Sequence, residues 1–306
     1  MYRNQTDLID DDLDLYRPDK RSYLASLEYA KQMPTLDPIQ PLVFHCFWRV
    51  PRTFGRKQVG VLKSIITTHK HLDFEINLWS NVDLSRHILL TPEIKRHINL
   101  RRWDYNEERK GTILENVASI TAESLKDHLC YLESDIFRLL VLHKYGGFYT
   151  DMDVLVLRDM SPLNHLEFLY QWGTSGTTDN EPTIRMNNAI MRLNAGSPLS
   201  TEFLELIIAT PPRKDSFCWG GDMYSRTSKN RVLCLPGIWF DSEWGFEGAS
   251  MNPFKNVGTV DLFEGAYAWH WHNKWDDVIE EGSKFRVIEQ TFDLTPRQQE
   301  CHYYNV

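Results

Sequence analysis

No stretch of this 306-residue chain is apolar for long enough to span a bilayer, and the segment Met1 to Lys20 is polar and acidic. Cysteine is sparse and scattered: Cys46, Cys130, Cys218, Cys234 and Cys301 are odd in number and form no C-x-x-C pair. That spacing excludes a disulfide framework and a thiolate zinc site, and it reads as reduced core thiols. Basic charge is short too. With 34 Lys and Arg against 42 Asp and Glu, the net charge is −8, the wrong sign for the basic footprint of a nucleic-acid binder. Any phosphate ligand must therefore be held by local cations or a metal. There is no Gly-x-Gly-x-x-Gly, which argues against a dinucleotide cofactor. Internal repeats and low-complexity runs are missing as well.

What remains is an ordinary soluble composition, 42% hydrophobic and 25% charged, with ten tryptophans, several of them crowded into the C-terminal third. Core packing explains most of those rings; sugar or base stacking is the functional alternative. Residues 1–40 are expected to form an extension, with a helix at Ser22 to Gln32 and a link punctuated by Pro34, Pro38 and Pro41. One catalytic unit over 41–306 follows. Leu42 to Trp48 reads as a buried strand, Lys57 to His69 as a helix with Val59, Leu62, Ile65 and Ile66 on one side, and Phe74 to Trp79 as a second strand. A strand–helix–strand opening of this kind begins a nucleotide-binding α/β half. Residues 83–130 read as a mainly helical insertion. Beyond it, strands are expected at 166–173 and Arg185 to Arg192, and a helix at Ser200 to Ala209, stopped by Pro211-Pro212.

The most informative stretch is 134–157. A helix over 134–145 runs into Gly146-Gly147, which supplies its stop, and an extended segment over 148–157 delivers Asp151 and Asp153 one residue apart. With period 2 along a strand, the two carboxylates share a face. Paired oxygens on one rigid segment suit a hard divalent cation, Mn2+ or Mg2+, which usually takes further oxygens from a substrate phosphate. Asp135 and Arg138, spaced i, i+3, face the same way on the preceding helix.

Taken together, Ser134, Asp135, Arg138, Gly146, Gly147, Tyr149, Asp151 and Asp153 resemble the shared block of the DXD-containing sugar transferases. These include alpha-1,4-galactosyltransferases, yeast-type initiating mannosyltransferases and, more distantly, the large clostridial glucosylating toxins. A second likeness lies in Tyr267-Ala-Trp-His270-Trp-His-Asn273-Lys274, similar to the C-terminal signature of the alpha-1,4-galactosyltransferases. His272 stands where those enzymes have Trp, and it stays unassigned. The resemblance implies an α/β fold of GT-A type, with a Rossmann-like mixed central sheet flanked by helices. It implies a retaining hexosyltransferase that moves sugar from a nucleotide-sugar donor, UDP-sugar favoured over GDP-mannose, to a glycan acceptor in an alpha linkage. Together with the lack of an apolar span, it suggests a cytoplasmic enzyme, bacterial or virus-encoded, with the Golgi lumen open only to a chain whose anchor has been removed.

By the same resemblance, Asp151, Asp153 and His270 hold the metal, and Trp48 stacks on the base. Asn81, Ser134, Asp135, Arg138, Tyr149 and Lys274 meet the nucleotide, sugar or diphosphate. Asp222, in Phe217-Cys-Trp-Gly-Gly-Asp222, is the carboxylate expected nearest the anomeric carbon, although that loop departs from the family's His-Gln-Gly-Pro; Glu243 and Glu247 are its alternatives. His45 reads as a core histidine. Two rival classes fit parts of the pattern. Asp151-Met-Asp153-Val also suits the nucleophile loop of an aspartate-dependent phosphohydrolase, but Asp222, which would start the later acidic loop such enzymes need, is followed four residues on by Arg226. A non-catalytic carbohydrate binder would use the tryptophans and have no need of paired acids.

Overall fold

The run Leu-Val-Phe-His-Cys-Phe-Trp has almost no polar face, which suits a strand covered on both sides. In the computed structural model it is β1 (Leu42–Trp48), parallel to its neighbours β2 (Phe74–Ser80) and β4 (Gly147–Thr150). The structure describes residues 20–34, 40–49, 52–127, 131–175, 183–214, 218–224, 232–243, 252–256, 258, 264–292 and 294. Four further strands complete the sheet: β3 (Ile98–Arg102), β6 (Phe168–Ser175), β7 (Thr183–Leu193) and β8 (Leu233–Leu235). The order is β3-β2-β1-β4-β7-β6-β8, with β7 antiparallel to both β4 and β6. A small antiparallel sheet pairs β5 (Val154–Val156) with β9 (Ala268–His270).

Helices cover both faces of the large sheet, and each face has its own apolar core. α1 (Lys20–Gln32) and α2 (Arg56–His69) pack on one side, where Val59, Leu62 and Ile65 meet Leu155, Phe285 and the C-terminal aromatics. On the other side lie α5 (Tyr131–Tyr145) and α6 (Pro198–Ala209), where Ile136, Phe137 and Leu140 meet Leu199, Phe203 and Ile207. α6 starts where the sequence says it should: the Ser197 hydroxyl accepts from the Ser200 N–H and Pro198 occupies the first turn. Among the described residues no helix is long and apolar enough to cross a membrane.

Two sequence expectations differ from the fold. Residues 83–130 carry only the single-turn helices α3 (Pro92–Lys95) and α4 (Tyr105–Glu108) among the described residues, and they supply the edge strand β3. Asn99 and Arg101 of that strand are bonded across it to Glu75 and Asn77. Its polar composition, read as helical, is that of an edge strand solvated on one side. The segment 148–157 is likewise not one strand. The chain leaves the large sheet after Thr150, turns through Asp151-Met152-Asp153, and enters the small sheet at Val154. Asp151 and Asp153 therefore sit in a turn between two sheets, not on one strand face.

Candidate active site

The turn is built by what precedes it. α5 ends as the Gly146 N–H bonds the Leu142 carbonyl at 2.9 Å, with Gly146 at φ 67 and Gly147 at φ 97. A Cβ at Gly147 would lie 2.5 Å from the Val43 carbonyl oxygen, so glycine is what lets β4 start against β1. His45, pushed down to about 4 by burial, accepts from the Trp79 indole at Nδ1 and donates from Nε2 to the Gly146 carbonyl. Beyond β4, the Asp151 N–H bonds Ala189 O at 2.7 Å and the Trp271 N–H bonds Asp153 O at 3.0 Å. Met152 is buried beneath them.

Arg138 organises the first half of the site. Its guanidinium donates to Ser134 O at 3.2 Å, to Ser134 Oγ at 2.9 Å and to Asn188 O at 2.8 Å. It lies 3.4 Å from both Asp135 Oδ1 and Asp151 Oδ1, and 4.6 Å over the Tyr149 ring. Burial works against its charge, but Asp151, Tyr149 and Asp135 hold it firmly protonated. Asp135 also accepts from Asn188 at 3.2 Å, yet burial pushes its carboxyl up to about 6. The Tyr149 hydroxyl donates to Asp151 Oδ1 and lies 3.4 Å from Ser134 Oγ. Asp151 is raised above the ordinary carboxylate range, first by burial and also by Asp153, although Arg138 opposes both.

The second half centres on Asp153, only 2% exposed. Its Oδ2 accepts from the Asn273 N–H at 2.8 Å and lies 3.3 Å from His270 Nε2. Burial would raise this carboxyl, but His270 and these hydrogen bonds hold it below the usual range. Its Oδ1 is buried with no hydrogen-bond partner. His270 lies 3.2 Å from the Tyr170 hydroxyl at Nδ1; burial lowers it, but Asp153, Asp241 and Asp151 raise it to about 9. Its ring stacks on that of His272 at 3.9 Å, and His272 donates to Asp241 Oδ1 at 2.9 Å. Asp241 is 3% exposed, and its Oδ2 also lacks a hydrogen-bond partner. Three buried or half-buried acids, Asp151, Asp153 and Asp241, thus face one guanidinium and one protonated imidazole. On the Asp151 and Asp153 side of His270, that surplus of oxygen charge, with the orphaned Asp153 Oδ1, fits a divalent cation.

Ser134, Asp135, Arg138, Tyr149, Asp151, Asp153 and His270 are therefore brought together. The remaining sequence candidates stand apart from that network or outside the described side chains. Trp48 is 5% exposed, edge-on to Phe54 at 6.0 Å and to Trp275 at 5.3 Å, with its indole N–H on Arg52 O. Asn81 follows β2 in a bend and is half-buried. Lys274 is half-buried, and its carbonyl, with that of Trp275, accepts from Lys57 Nζ. Asp222 falls in the single turn α7 (Gly221–Tyr224), but its side chain, like all of Glu247, lies outside the described residues. Glu243 is tied to the Trp269 indole and Lys284, a structural role. Sequence reasoning missed Asn188, Tyr170 and Asp241, none of which lies in a local motif. It left His272 open, though the i, i+2 spacing from His270 was a usable signal.

Residues 56–169, from the start of α2 into β6, match the family described as a glycosyltransferase sugar-binding region containing a DXD motif. Over this region, somewhat more than a third of the chain, it is similar to the DXD glycosyltransferases. Over 96 residues it is 34% identical to an uncharacterized protein of Arabidopsis thaliana, covering 31% of this chain and 14% of that protein. It is 28% identical over 125 residues to inositol phosphoceramide mannosyltransferase 3 of Schizosaccharomyces pombe, covering 41% of this chain and 27% of that enzyme. The match spans well under two thirds of either relative. The glycosyltransferase GlyE of Streptococcus pneumoniae superimposes with a TM-score of 0.50 at 11% identity, over 83% of this chain and 61% of GlyE. At that identity the likeness is one of fold, the GT-A fold. The matched region includes Arg138, Asp151 and Asp153; His270, His272 and Asp241 lie beyond it.

Proposed function

We propose that this protein is a metal-dependent glycosyltransferase that moves a hexosyl unit from a nucleotide-sugar donor to a glycan hydroxyl with retention, making an alpha linkage. The observation that carries the reading is the buried Asp153 oxygen without a partner, beside Asp151 in the turn between the two sheets. Asp151, Asp153 and His270 would hold Mn2+ or Mg2+. When bound, the ion supplies Lewis-acid compensation for the charge of the departing diphosphate.

The protein's own groups prepare that event. Arg138 and the Tyr149 hydroxyl fix the Asp151 carboxylate, and Asn188 fixes Asp135, which we assign to the donor sugar. Ser134 joins the same network. In the transfer, the bond from the anomeric carbon to the phosphate oxygen breaks and a bond to the acceptor oxygen forms on the same face. The acceptor's proton passes to the departing phosphate, so no protein nucleophile is required. Asp222 is assigned to the sugar side and Asn81 and Lys274 to the nucleotide. Trp48 is the base-stacking residue, with Trp275, itself under the Arg52 guanidinium at 5.4 Å, as the ring that shifts to uncover it. A uracil base is favoured on the strength of Trp48 alone.

The test is release of free UDP or GDP from a panel of nucleotide sugars, with and without Mn2+. Release from one donor that requires the ion, and falls at least a hundredfold in Asp153→Ala, is expected. Release that ignores chelator and Asp153→Ala would remove the metal from the reading. Hydrolysis of a generic aryl phosphate in its place would point to a phosphohydrolase.

A further inference from the structure

We infer a second, nitrogen-rich cation seat on the far side of His270, formed by Asp241, His270 and His272 and suited to a borderline metal such as Zn2+ or Co2+. One potential ligand atom from each of the three lies within 4.8 Å of the others. His270 separates two carboxylates: Nε2 is 3.3 Å from Asp153 Oδ2, and Nδ1 is 3.8 Å from Asp241 Oδ2. The acids after the double glycine lie on the first side, and Asp241 with His272 on the second.

Three features favour a ligand there. Asp241 is 3% exposed, and its Oδ2 has no hydrogen-bond partner, the nearest cation being His270 Nδ1 at 3.8 Å, a costly state for a buried carboxylate oxygen. The two imidazoles stack at 3.9 Å with planes 30° apart, which holds both rings beside Asp241; imidazole lone pairs lie in the ring plane, so sharing an ion requires His272 to rotate out of the stack. Adjacent ligand atoms on a tetrahedral zinc stand about 3.4 Å apart, close to the separations already present. The chain also accepts strain to make the pair: His272 and Asn273 both adopt left-handed backbone, at φ 55 and φ 58. On binding, His272 turns to its Nδ1–H tautomer, and its Nε2 lone pair replaces the hydrogen bond to Asp241 Oδ1. The Tyr170 hydroxyl yields its place at His270 Nδ1. Two nitrogens and one carboxylate select zinc or cobalt over magnesium. A neutral imidazole has one lone pair, so His270 serves one seat at a time.

The seat requires neither nucleotide nor transfer, and its failure is distinguishable from failure of the reading above. Co2+ and Zn2+ are titrated into the full chain without nucleotide, reading the visible Co2+ absorption and calorimetric affinity. Asp241→Asn and His272→Gln are each expected to weaken binding at least tenfold, with Asp153→Asn within threefold of the parent. If Asp241→Asn does not fold by circular dichroism, His272→Gln decides alone. Affinity unchanged in His272→Gln, absence of Co2+ binding by the parent, or loss only in Asp153→Asn overturns the seat. Loss of donor cleavage with these affinities intact would sink the transferase reading and leave the seat standing.

Discussion

Arg138 does more for this site than any other single side chain, because five donors in a fixed plane serve a helix, a strand and a turn at once. Its side chain is 6% exposed and spans Ser134 on α5, Asn188 on β7 and Asp151 in the turn. Removing a buried ion's partner leaves an uncompensated charge, at a cost of about 3–5 kcal/mol. Arg138→Met is expected to lower the urea midpoint accordingly. Arg138→Lys should recover little, since an ammonium cannot reach Ser134 and Asn188 together; near-parental stability in the lysine variant would show that charge alone matters. The pairing with Asp135 was legible from the i, i+3 spacing, and the structure has it. The contact with Asp151 was not, because it exists only once β4 pairs with β7 and sets the turn beside the helix.

At the scale of elements, the helix, double glycine and β4 behave as one unit with a fixed geometry. Gly147 is the position that cannot change, since it combines φ 97 with the close approach of Val43 O. Gly147→Ala is expected to cost more than about 2 kcal/mol, from backbone conformation and overpacking together. Gly111 is the control: its φ is 75, but a Cβ added there would meet nothing within 4 Å, so Gly111→Ala should cost only about 1 kcal/mol. Denaturant midpoints of the two variants check the difference, and equal losses would refute the packing argument. Elements with strong apolar periodicity, β1, β2, α2 and α6, fall within a few residues of expectation. The split of 148–157 into β4 and β5 was invisible locally. A carbonyl on β7 takes the Asp151 N–H, and a backbone N–H just past β9 takes the Asp153 carbonyl; both partners are more than 30 residues away.

Across the whole molecule, two buried neutral histidines bond backbone groups of segments far away in the chain and set an acid response. His45 bonds the end of α5, and His69 Nε2 accepts from the Met160 N–H at 3.0 Å. Burial pushes both down to about 4 from an ordinary 6.5. Between those values the unfolded chain holds the protons and the native one does not. Their stability contribution is thus present above 6.5 and lost as pH falls toward 4, at up to about 1.4 kcal/mol per pH unit each. Asp135, raised to about 6 chiefly by burial, takes up a proton in the native state and offsets part of that loss below pH 6. His69→Gln is expected to flatten the acid slope, seen as a smaller change in urea midpoint between about pH 7 and about pH 5. Parallel profiles for variant and parent would rule out His69 as a source.

The sequence by itself determined the sheet's first strands, the helix stop at Gly146-Gly147 and the block that holds Asp135, Arg138, Tyr149, Asp151 and Asp153, because each depends on periodicity, glycine conformation or spacing within a few residues. Only the tertiary structure decided that the paired acids occupy a turn between sheets, that Asn188 and Arg138 brace them, and that Asp241 and His272 stand behind His270. Those arrangements join residues far apart in the chain, and their burial and unpaired oxygens arise only when the two sheets and the C-terminal segment close around them.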